Sequence, residues 1–329
     1  MSTIETPSCA VCAVPLQPYL PAARDPQTLE RFDVLRCPRC GSGVIAPIPD
    51  DLSRFYGADY YGKRHGFTVR YRCWRRMRLL RRHVAKPGRL LDVGCGDGDF
   101  LVAASRAGWR AVGVERGDRA EEVACQDLVV RGSLDELRGL GTFDVITLWH
   151  SFEHMADPVA ELDKIVELLA DGGTLFMIVP DFGGMQARTF GGSWYHLDVP
   201  RHVHHFTQTA LREMVESRGL VVVGMDHHEI EYDLFGWLQS SLNALLPTPN
   251  LFFNWLTRKP LLHRGWDLWV GIVLATLLMP FAVVATGLGI VTRRGATINV
   301  VARKPAFART HPAVRLAGST IAVGGCPVS

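Results

Sequence analysis

The sequence predicts an α/β fold: a mostly parallel sheet, preceded by a metal-stapled segment and interrupted by an apolar helical insert before its last strand. Short apolar runs alternate with helical patterns from residue 89 onward, which is typical of βαβ units. Two Cys-x2-Cys pairs lie near the amino terminus, and residues 231–292 are unusually apolar. The 329 residues allow a core domain with appendages, and a net charge of +3 does not by itself favour nucleic acid.

Residues 1–50 are rich in Pro and Cys and show little apolar periodicity, so we expect this segment to need a stabilising cross-link such as a structural metal ion. Four cysteines form the two pairs: Cys9, Cys12, Cys37 and Cys40. Two such knuckles bring four thiolates around zinc at about 2.3 Å each, and a closed site of this kind is structural. The other cysteines show no pairing pattern and are interpreted as structural: Cys73, Cys95, Cys125 and Cys326.

Residues 51–88 are predicted to form a linker and a basic helix. The stretch 63–86 has Lys or Arg at ten positions. Its apolar side chains recur at helical spacing and should pack on the core: Tyr71, Trp74, Met77, Leu80 and Val84. The arginines then face water or, alternatively, an anionic partner such as a nucleotide-sugar diphosphate, a lipid headgroup or RNA.

The core is predicted over residues 89–230, with a last strand within 293–305. We predict strands at Arg89–Val93, Arg110–Glu115, Leu128–Arg131, Phe143–Trp149, Gly173–Pro180, Leu220–Asp226 and Ala296–Arg303. The predicted helices are Asp99–Ala107, Arg119–Cys125, Pro158–Ala170 and Gln208–Arg218. Pro158 suits a first helical turn, Thr207 an N-cap and Gly219 a C-terminal stop.

A glycine-rich loop follows the first core strand. Gly94, Gly96 and Gly98 alternate with other residues, so the backbone can turn sharply and approach a ligand closely. Glu115 ends the next strand, where an acid binds ribose hydroxyls. The spacing differs from the loop that holds a dinucleotide pyrophosphate, and Asp92 beside it suits the ammonium group of S-adenosylmethionine.

These motifs resemble the class I S-adenosylmethionine-dependent methyltransferases, from about residue 89 to 303. LLDVGCGDGDF resembles the first family motif, FDVITLWHSFEHMADP the fourth-strand motif, and LLADGGTLFMIVPD the segment after it. The resemblance implies a Rossmann-like seven-stranded sheet of order 3-2-1-4-5-7-6, its seventh strand antiparallel. Ser133 stands where the family often has an acid, so a hydroxyl or backbone N–H groups would contact adenine. The implied cofactor contacts are Asp92, Gly94, Cys95, Gly96, Gly98, Glu115, Ser133, Leu134 and His150.

A zinc ribbon ahead of such a core is similar to the deoxysugar C-methyltransferases and to related glycan and natural-product methyltransferases. The segment LRCPRCGSGVIAPIPDDLSRFYGADYYG resembles their link between ribbon and core. In that branch a tyrosine of the link reaches the active site, which implies Tyr60 or Tyr61 here.

Two histidine-bearing segments are candidates for acceptor chemistry. His154 ends the fourth-strand motif and is the candidate general base, with Glu153 orienting it or contacting substrate; a hydrogen-bonded loop histidine is the alternative. The segment from Trp194 to Phe206 resembles the family's W…PxHxxxF loop, which makes His202 the expected substrate contact. Three histidines of this segment, His202, His204 and His205, would otherwise bind metal or pack structurally.

The insert over 231–292 is predicted to form a hairpin of helices, Leu234–Leu246 and Trp266–Val291, in the membrane interface. Gly271–Val291 has no charge, Arg293 and Arg294 follow it, and Pro280 should break it. Packing of residues 234–292 on the core or a second subunit is the alternative. Residues 306–329 show no periodicity and are expected to be disordered.

The sequence therefore predicts an S-adenosylmethionine-dependent methyltransferase with structural zinc. It would act on a hydroxyl or carbon of a sugar, glycan or related small molecule; a quinone or polyketide acceptor is a close relative of this hypothesis. An RNA methyltransferase and a noncatalytic scaffold are the alternatives. No signal peptide opens the chain, so we expect a cytoplasmic protein with peripheral membrane contact, and the sequence carries no signal for its oligomeric state.

Overall fold

A computed structural model describes residues 7–56, 66–115, 129–259 and 265–306. Several predictions lie outside these residues: Tyr60, Tyr61, the helix over 119–125, Cys125, Cys326 and all but the first residue of the tail. Eleven strands are described: β1 (Gln17–Arg24), β2 (Arg31–Arg36), β3 (Gly43–Ala46), β4 (Arg89–Val93), β5 (Arg110–Val114), β6 (Val129–Arg131), β7 (Phe143–Trp149), β8 (Leu169–Pro180), β9 (His204–His205), β10 (Val221–Asp226) and β11 (Thr297–Arg303).

Eight α-helices are described in the same residues: α1 (Gly66–His83), α2 (Asp99–Arg106), α3 (Pro158–Leu168), α4 (Met185–Phe190), α5 (Gln208–Glu216), α6 (Ile230–Leu245), α7 (Leu251–Leu256) and α8 (Trp266–Val291). The predicted helix signals are confirmed. Pro158 stands in the first turn of α3, and the Thr207 side chain accepts a hydrogen bond from the backbone N–H of Ala210. Gly219 has a φ of +77°, as a left-handed stop after α5 requires.

The large sheet has the order β10-β11-β8-β7-β4-β5-β6, which confirms the predicted arrangement 3-2-1-4-5-7-6. The strands from β4 to β8 pair in parallel, whereas β11 is antiparallel to both of its neighbours. Both faces of this sheet are covered by buried apolar side chains. The carboxyl ends of β4, β5 and β7 therefore meet along one edge, where ligands bind in open α/β sheets.

Two details of the core differ from the prediction. Helix α3 ends at Leu168 rather than Ala170, because β8 begins at Leu169, ahead of the turn at Gly172. Trp74 was expected to pack on the core, but it is 54% exposed. Its ring stacks on Tyr71 instead and lies under the guanidinium of Arg78, so the buried face of α1 is narrower than the apolar pattern suggests.

The amino-terminal segment has more regular structure than its composition indicates. Strands β1, β2, β3 and β9 form a second, antiparallel sheet, in which β9 comes from the loop that follows β8. Phe32 and Val34 are buried on one face of β2, where they belong to a cluster with Phe182 and Trp194 of the core. The little apolar periodicity expected of this segment is wrong for β2, where buried Phe32 and Val34 alternate with exposed residues, and packing against the core contributes to holding the segment.

The predicted apolar insert consists of α6, α7 and α8. Small residues of α8, including Ala275 and Ala282, pack with Trp237 and Leu242 of α6. Pro280 was expected to break α8, but the helix continues through it, because this packing holds both halves in line. By length and composition alone α8 could cross a membrane; its most apolar stretch is only 22% buried.

Candidate active site

The glycine-rich loop between β4 and α2 forms the floor of the site. Gly94, Gly96 and Gly98 have φ values of +75°, +59° and +75°, a region in which other residues are strained. A Cβ atom on Gly94 would lie 2.4 Å from the Cβ of Ser151, which follows β7. Only glycine therefore lets these two strand ends approach each other.

Two carboxylates flank this loop at the sheet edge. Asp92 is buried and accepts a hydrogen bond of 2.6 Å from the Thr147 hydroxyl, and burial raises its pKa to about 6. Glu115 follows β5 and accepts a 2.6 Å hydrogen bond from the backbone N–H of Gly96. The loop is thus tied to the position that would face a ribose, and the residues present fit a nucleoside carrying an amino-acid group.

A cavity of about 790 Å³ opens above this edge. Most of the predicted cofactor residues line it: Gly94, Cys95, Gly96, Glu115, Ser133, Leu134 and His150. Asp92 lies beneath it, and Gly98 turns the chain into α2. Ser133 donates its hydroxyl to Glu136, while Asp135, two residues further on, also lines the cavity. The sequence predicted that no acid occupies position 133, but it did not identify Asp135 as a cavity residue. Asp135 forms ion pairs with Lys164 and Arg138.

His154 lies on the far side of the same cavity. Its Nδ1 atom is 2.9 Å from the carbonyl oxygen of Arg201 and 2.9 Å from the hydroxyl of Tyr56. The carbonyl can only accept, so we assign the proton to Nδ1, which leaves Nε2 as an acceptor. Burial, and then the charge of His202, lower the pKa of His154 to about 3. The imidazole is therefore neutral at physiological pH.

Glu153 is a buried carboxyl group beside this histidine. Both of its oxygens lack a hydrogen-bond partner among the described residues, and burial raises its pKa to about 8. Its Oε1 atom lies 3.9 Å from Nε2 of His202, whose Nδ1 is 2.8 Å from the carbonyl oxygen of His196. The ligand atoms of Glu153, His154 and His202 lie within 4.8 Å of one another, so these three side chains could also hold a metal ion.

His150, predicted as a cofactor contact, contacts two residues where the insert begins, Glu229 and Tyr232. Its Nε2 donates a 2.6 Å hydrogen bond to Glu229, and its ring stacks on Tyr232 with centroids 4.2 Å apart. Glu229 also pairs with Arg75 of α1. The network joins the end of β7 to α1 and α6, which places the insert against the wall of the cavity.

The three histidines after Val199 have separate environments. His202 lines the cavity, whereas His204 contacts the carbonyl oxygen of Ala156 and His205 stacks on Phe182. They do not form a metal-binding group among the described residues; the group there combines His202 with Glu153 and His154. The carboxylate of this group, Glu153, comes from the segment after β7.

The four amino-terminal cysteines meet at one point. Three of their sulfur–sulfur distances are 3.9, 3.6 and 3.7 Å, for the pairs 9–12, 9–40 and 12–37. These values exclude disulfides and agree with the separation of about 3.8 Å expected for a tetrahedron of thiolates around zinc. All four sulfurs belong to one group able to hold a metal ion.

Besides Asp135, two further cavity residues were not predicted from the sequence. Tyr56 reaches His154 from the link, four residues before the predicted Tyr60, and the RFYG run of that link was the available signal. Arg76 of α1 lies over the ring of Trp149, at 5.1 Å from its centroid, and lines the cavity. Its Nε has no hydrogen-bond partner among the described residues, and its charge suits a carboxylate.

Comparisons with known proteins agree with this geometry. The family described as "Methyltransferase domain" matches residues 67–224. A ubiquinone biosynthesis O-methyltransferase of Nitrosospira multiformis is 28% identical over 176 residues, which cover 47% of this chain and 73% of that protein. The Methylococcus capsulatus enzyme of the same name is 27% identical over 170 residues, covering 46% and 71%.

Two solved structures are also similar to parts of this chain. A SAM-dependent methyltransferase from Archaeoglobus fulgidus has a TM-score of 0.46 at 15% identity, covering 77% of this chain and all of that one. A coclaurine N-methyltransferase, solved with N-methylheliamine and SAH, has a TM-score of 0.43 at 17% identity and covers 70% and 72%.

Proposed function

We propose that this chain, an S-adenosylmethionine-dependent methyltransferase of the class I fold, methylates a hydroxyl group of a small molecule bound between the glycine loop and His154. The observation that carries this proposal is the imidazole of His154, held by the Arg201 carbonyl with Nε2 available as a proton acceptor. Methylation of a hydroxyl requires removal of its proton, whereas several other methyl acceptors need none.

The donor, when bound, supplies an electrophilic methyl group on a positively charged sulfur. Gly94, Gly96 and Gly98 would let the backbone approach the donor closely, and Glu115, which lines the cavity, would accept hydrogen bonds from the ribose hydroxyls. Arg76, which also lines the cavity, would bind the carboxylate of the amino-acid group. Three neighbouring residues, Ser133, Leu134 and Asp135, line the same cavity and would contact the adenine ring.

The proton of the acceptor hydroxyl leaves on the side of the cavity that contains His154. His154 takes it at Nε2 while its Nδ1–H remains bonded to the Arg201 carbonyl. The Glu153 carboxylate, once ionised, stabilises the imidazolium that forms, since the two groups belong to the same tight cluster. His202 lines the cavity beside them and would contact the acceptor.

The walls of the cavity favour an acceptor with a flat ring. Aromatic side chains of the substrate loop and the insert line it: Tyr195, Tyr232, Phe235 and Phe253. The relatives named for ubiquinone biosynthesis support a phenolic hydroxyl as this acceptor. A sugar or glycan hydroxyl, predicted from the resemblance to sugar methyltransferases, is the second candidate.

We further infer that the cysteine group binds structural zinc and that α8 lies in a membrane interface. All four positions around the metal would be filled by sulfur, so no site is left for substrate. Helix α8 leaves a row of large apolar side chains exposed: Trp266, Trp269, Val273, Leu277, Phe281, Val284, Leu288 and Val291. Such a row exceeds what a water-facing helix usually carries.

The test of the proposed reaction is methyl transfer from labelled S-adenosylmethionine to a catechol, a nucleoside-diphosphate sugar and a short RNA. We expect transfer to the catechol, and we expect His154→Ala to lower turnover by roughly 10²- to 10⁴-fold, the usual contribution of a positioned base. His228→Ala is the matched control, because His228 does not line the cavity. Transfer only to RNA, or equal turnover in the His154 variant, would contradict the proposal.

A further inference from the structure

A second cavity, of about 900 Å³, lies between the ribbon, the turn before α4 and the end of α8. Five arginines from three separate parts of the chain line it: Arg36, Arg39, Arg188, Arg293 and Arg294. It is separate from the active-site cavity, with which it shares no lining residue. The proposed reaction uses none of these arginines.

The arginines of this cavity are not neutralised by acids. No Asp or Glu oxygen lies within 4.0 Å of any of the five guanidinium groups in the part of the chain that the structure describes. The one carboxyl group in the lining is Asp181, which accepts hydrogen bonds from Gln208 and from the backbone of Gly183. Burial raises the pKa of Asp181 to about 6, although the charges of Arg188 and Arg294 act in the opposite direction. Asp181 is therefore ionised at neutral pH and offsets only one of the five positive charges.

The cysteine group accounts for part of this positive charge. Four thiolates around one divalent ion leave a net charge of about −2, which Arg36 and Arg39, next to the second cysteine pair, would balance. Arg36 is already oriented, since its Nε donates to the Gly41 carbonyl and its guanidinium lies 4.7 Å from the centroid of the Tyr19 ring. Arg188, Arg293 and Arg294 remain as three cations on other elements.

The position of these cations relative to α8 indicates what they bind. The exposed apolar row of α8 ends at Val291, which is 81% exposed, and the chain then enters the cavity at Thr292, Arg293 and Arg294. An apolar surface that ends in a basic pocket matches the boundary between acyl chains and phosphate headgroups.

We propose that this cavity, the arginine pocket, binds the phosphate of an anionic lipid headgroup and fixes the depth and orientation of α8 at the membrane. The inference rests on the proposed membrane contact of α8 and adds to it a preference for acidic lipid. A soluble phosphate carries the same chemistry and is distinguished by the test.

The test is flotation of the full-length protein with vesicles of phosphatidylcholine alone and with added phosphatidylglycerol. Each arginine near an anionic surface raises the membrane partition coefficient by a factor of about 5. The double variant Arg293→Ala/Arg294→Ala should therefore bind the acidic vesicles roughly 30-fold more weakly. Binding to phosphatidylcholine should change little. Arg106→Ala/Arg110→Ala is the matched control, because these exposed arginines lie at α2 and β5, away from the pocket.

The outcomes separate the two proposals. Binding to both kinds of vesicle without acidic preference, or equal loss in the control variant, overturns the arginine pocket but leaves the membrane contact of α8. Absence of binding to any vesicle overturns both. Full displacement from acidic vesicles by millimolar inorganic phosphate, at constant ionic strength, would assign the pocket to a soluble phosphate instead. S-adenosylmethionine binding by each variant shows that the core remains folded.

Discussion

At the scale of residues, the proposed acceptor site contains one carboxyl group and one imidazole whose pKa values respond to burial in opposite directions. Burial keeps His154 neutral by lowering its pKa to about 3, and keeps Glu153 protonated by raising its pKa to about 8. A neutral base with so low a pKa gains little from proton transfer unless an anion forms beside it. Glu153 is the group positioned to supply that anion.

We therefore expect turnover to rise with pH through an apparent pKa near 8, as Glu153 loses its proton. Glu153→Gln should remove this rise, because the amide does not titrate. The pH dependence of kcat in both proteins checks the prediction. An unchanged rise in the variant would show that another group is responsible.

The same shift has a consequence for stability. The pKa of Glu153 is raised from 4.5 to about 8 by folding, so between these values the folded chain holds a proton that the unfolded chain has lost. The free energy of unfolding should fall as pH rises through this window. In urea titrations at pH 5 and pH 8, the free energy of unfolding of Glu153→Gln should fall less between the two pH values than that of the natural chain.

At the scale of elements, the amino-terminal sheet and the core are joined by one buried arginine. Arg201 donates to Asp25 at 2.7 Å and to Asp198 at 2.6 Å, and its own carbonyl orients His154. Strand β9 adds to the same connection by pairing with β3. The amino-terminal sheet is therefore tied to the segment that orients His154.

We expect purified protein to contain a single zinc ion per chain, and Cys37→Ser to lose it. Loss of the metal should loosen β1 to β3 and thereby the Tyr56 and Arg201 contacts, which lowers turnover more than donor affinity. Cys73→Ser is the control, since Cys73 lies outside the cysteine group. Metal analysis together with calorimetric binding of S-adenosylmethionine tests this; full metal content in Cys37→Ser would contradict it.

At the scale of the whole molecule, the parts predicted from sequence are those set by local pattern. The glycine loop, the helix signals at Pro158 and Thr207 and the order of the large sheet follow from short-range rules and from a family resemblance. The pairing of β3 with β9 joins segments about 160 residues apart, which periodicity does not detect.

The same reason explains why only part of the candidate site could be predicted from the sequence. Tyr56 contacts His154 and Arg201, which lie 98 and 145 residues further along the chain, so these contacts exist only after the amino-terminal segment docks on the core. Trp74 matched the apolar pattern of α1 but found an arginine and a tyrosine as partners. Pattern identified candidate residues, whereas their roles depended on which segments the fold brought together.

Donor binding at the glycine loop is the central requirement of the proposed function, and calorimetric titration with S-adenosylmethionine tests it directly. We predict one binding site per chain and at least tenfold weaker binding, about 1.4 kcal/mol, in Gly94→Ala, whose added Cβ would lie 2.4 Å from Ser151. Gly192→Ala, at a position with no atom within 4 Å of the added Cβ, should bind as the natural chain does. No binding by the natural chain, or equal affinity in Gly94→Ala, would contradict the account.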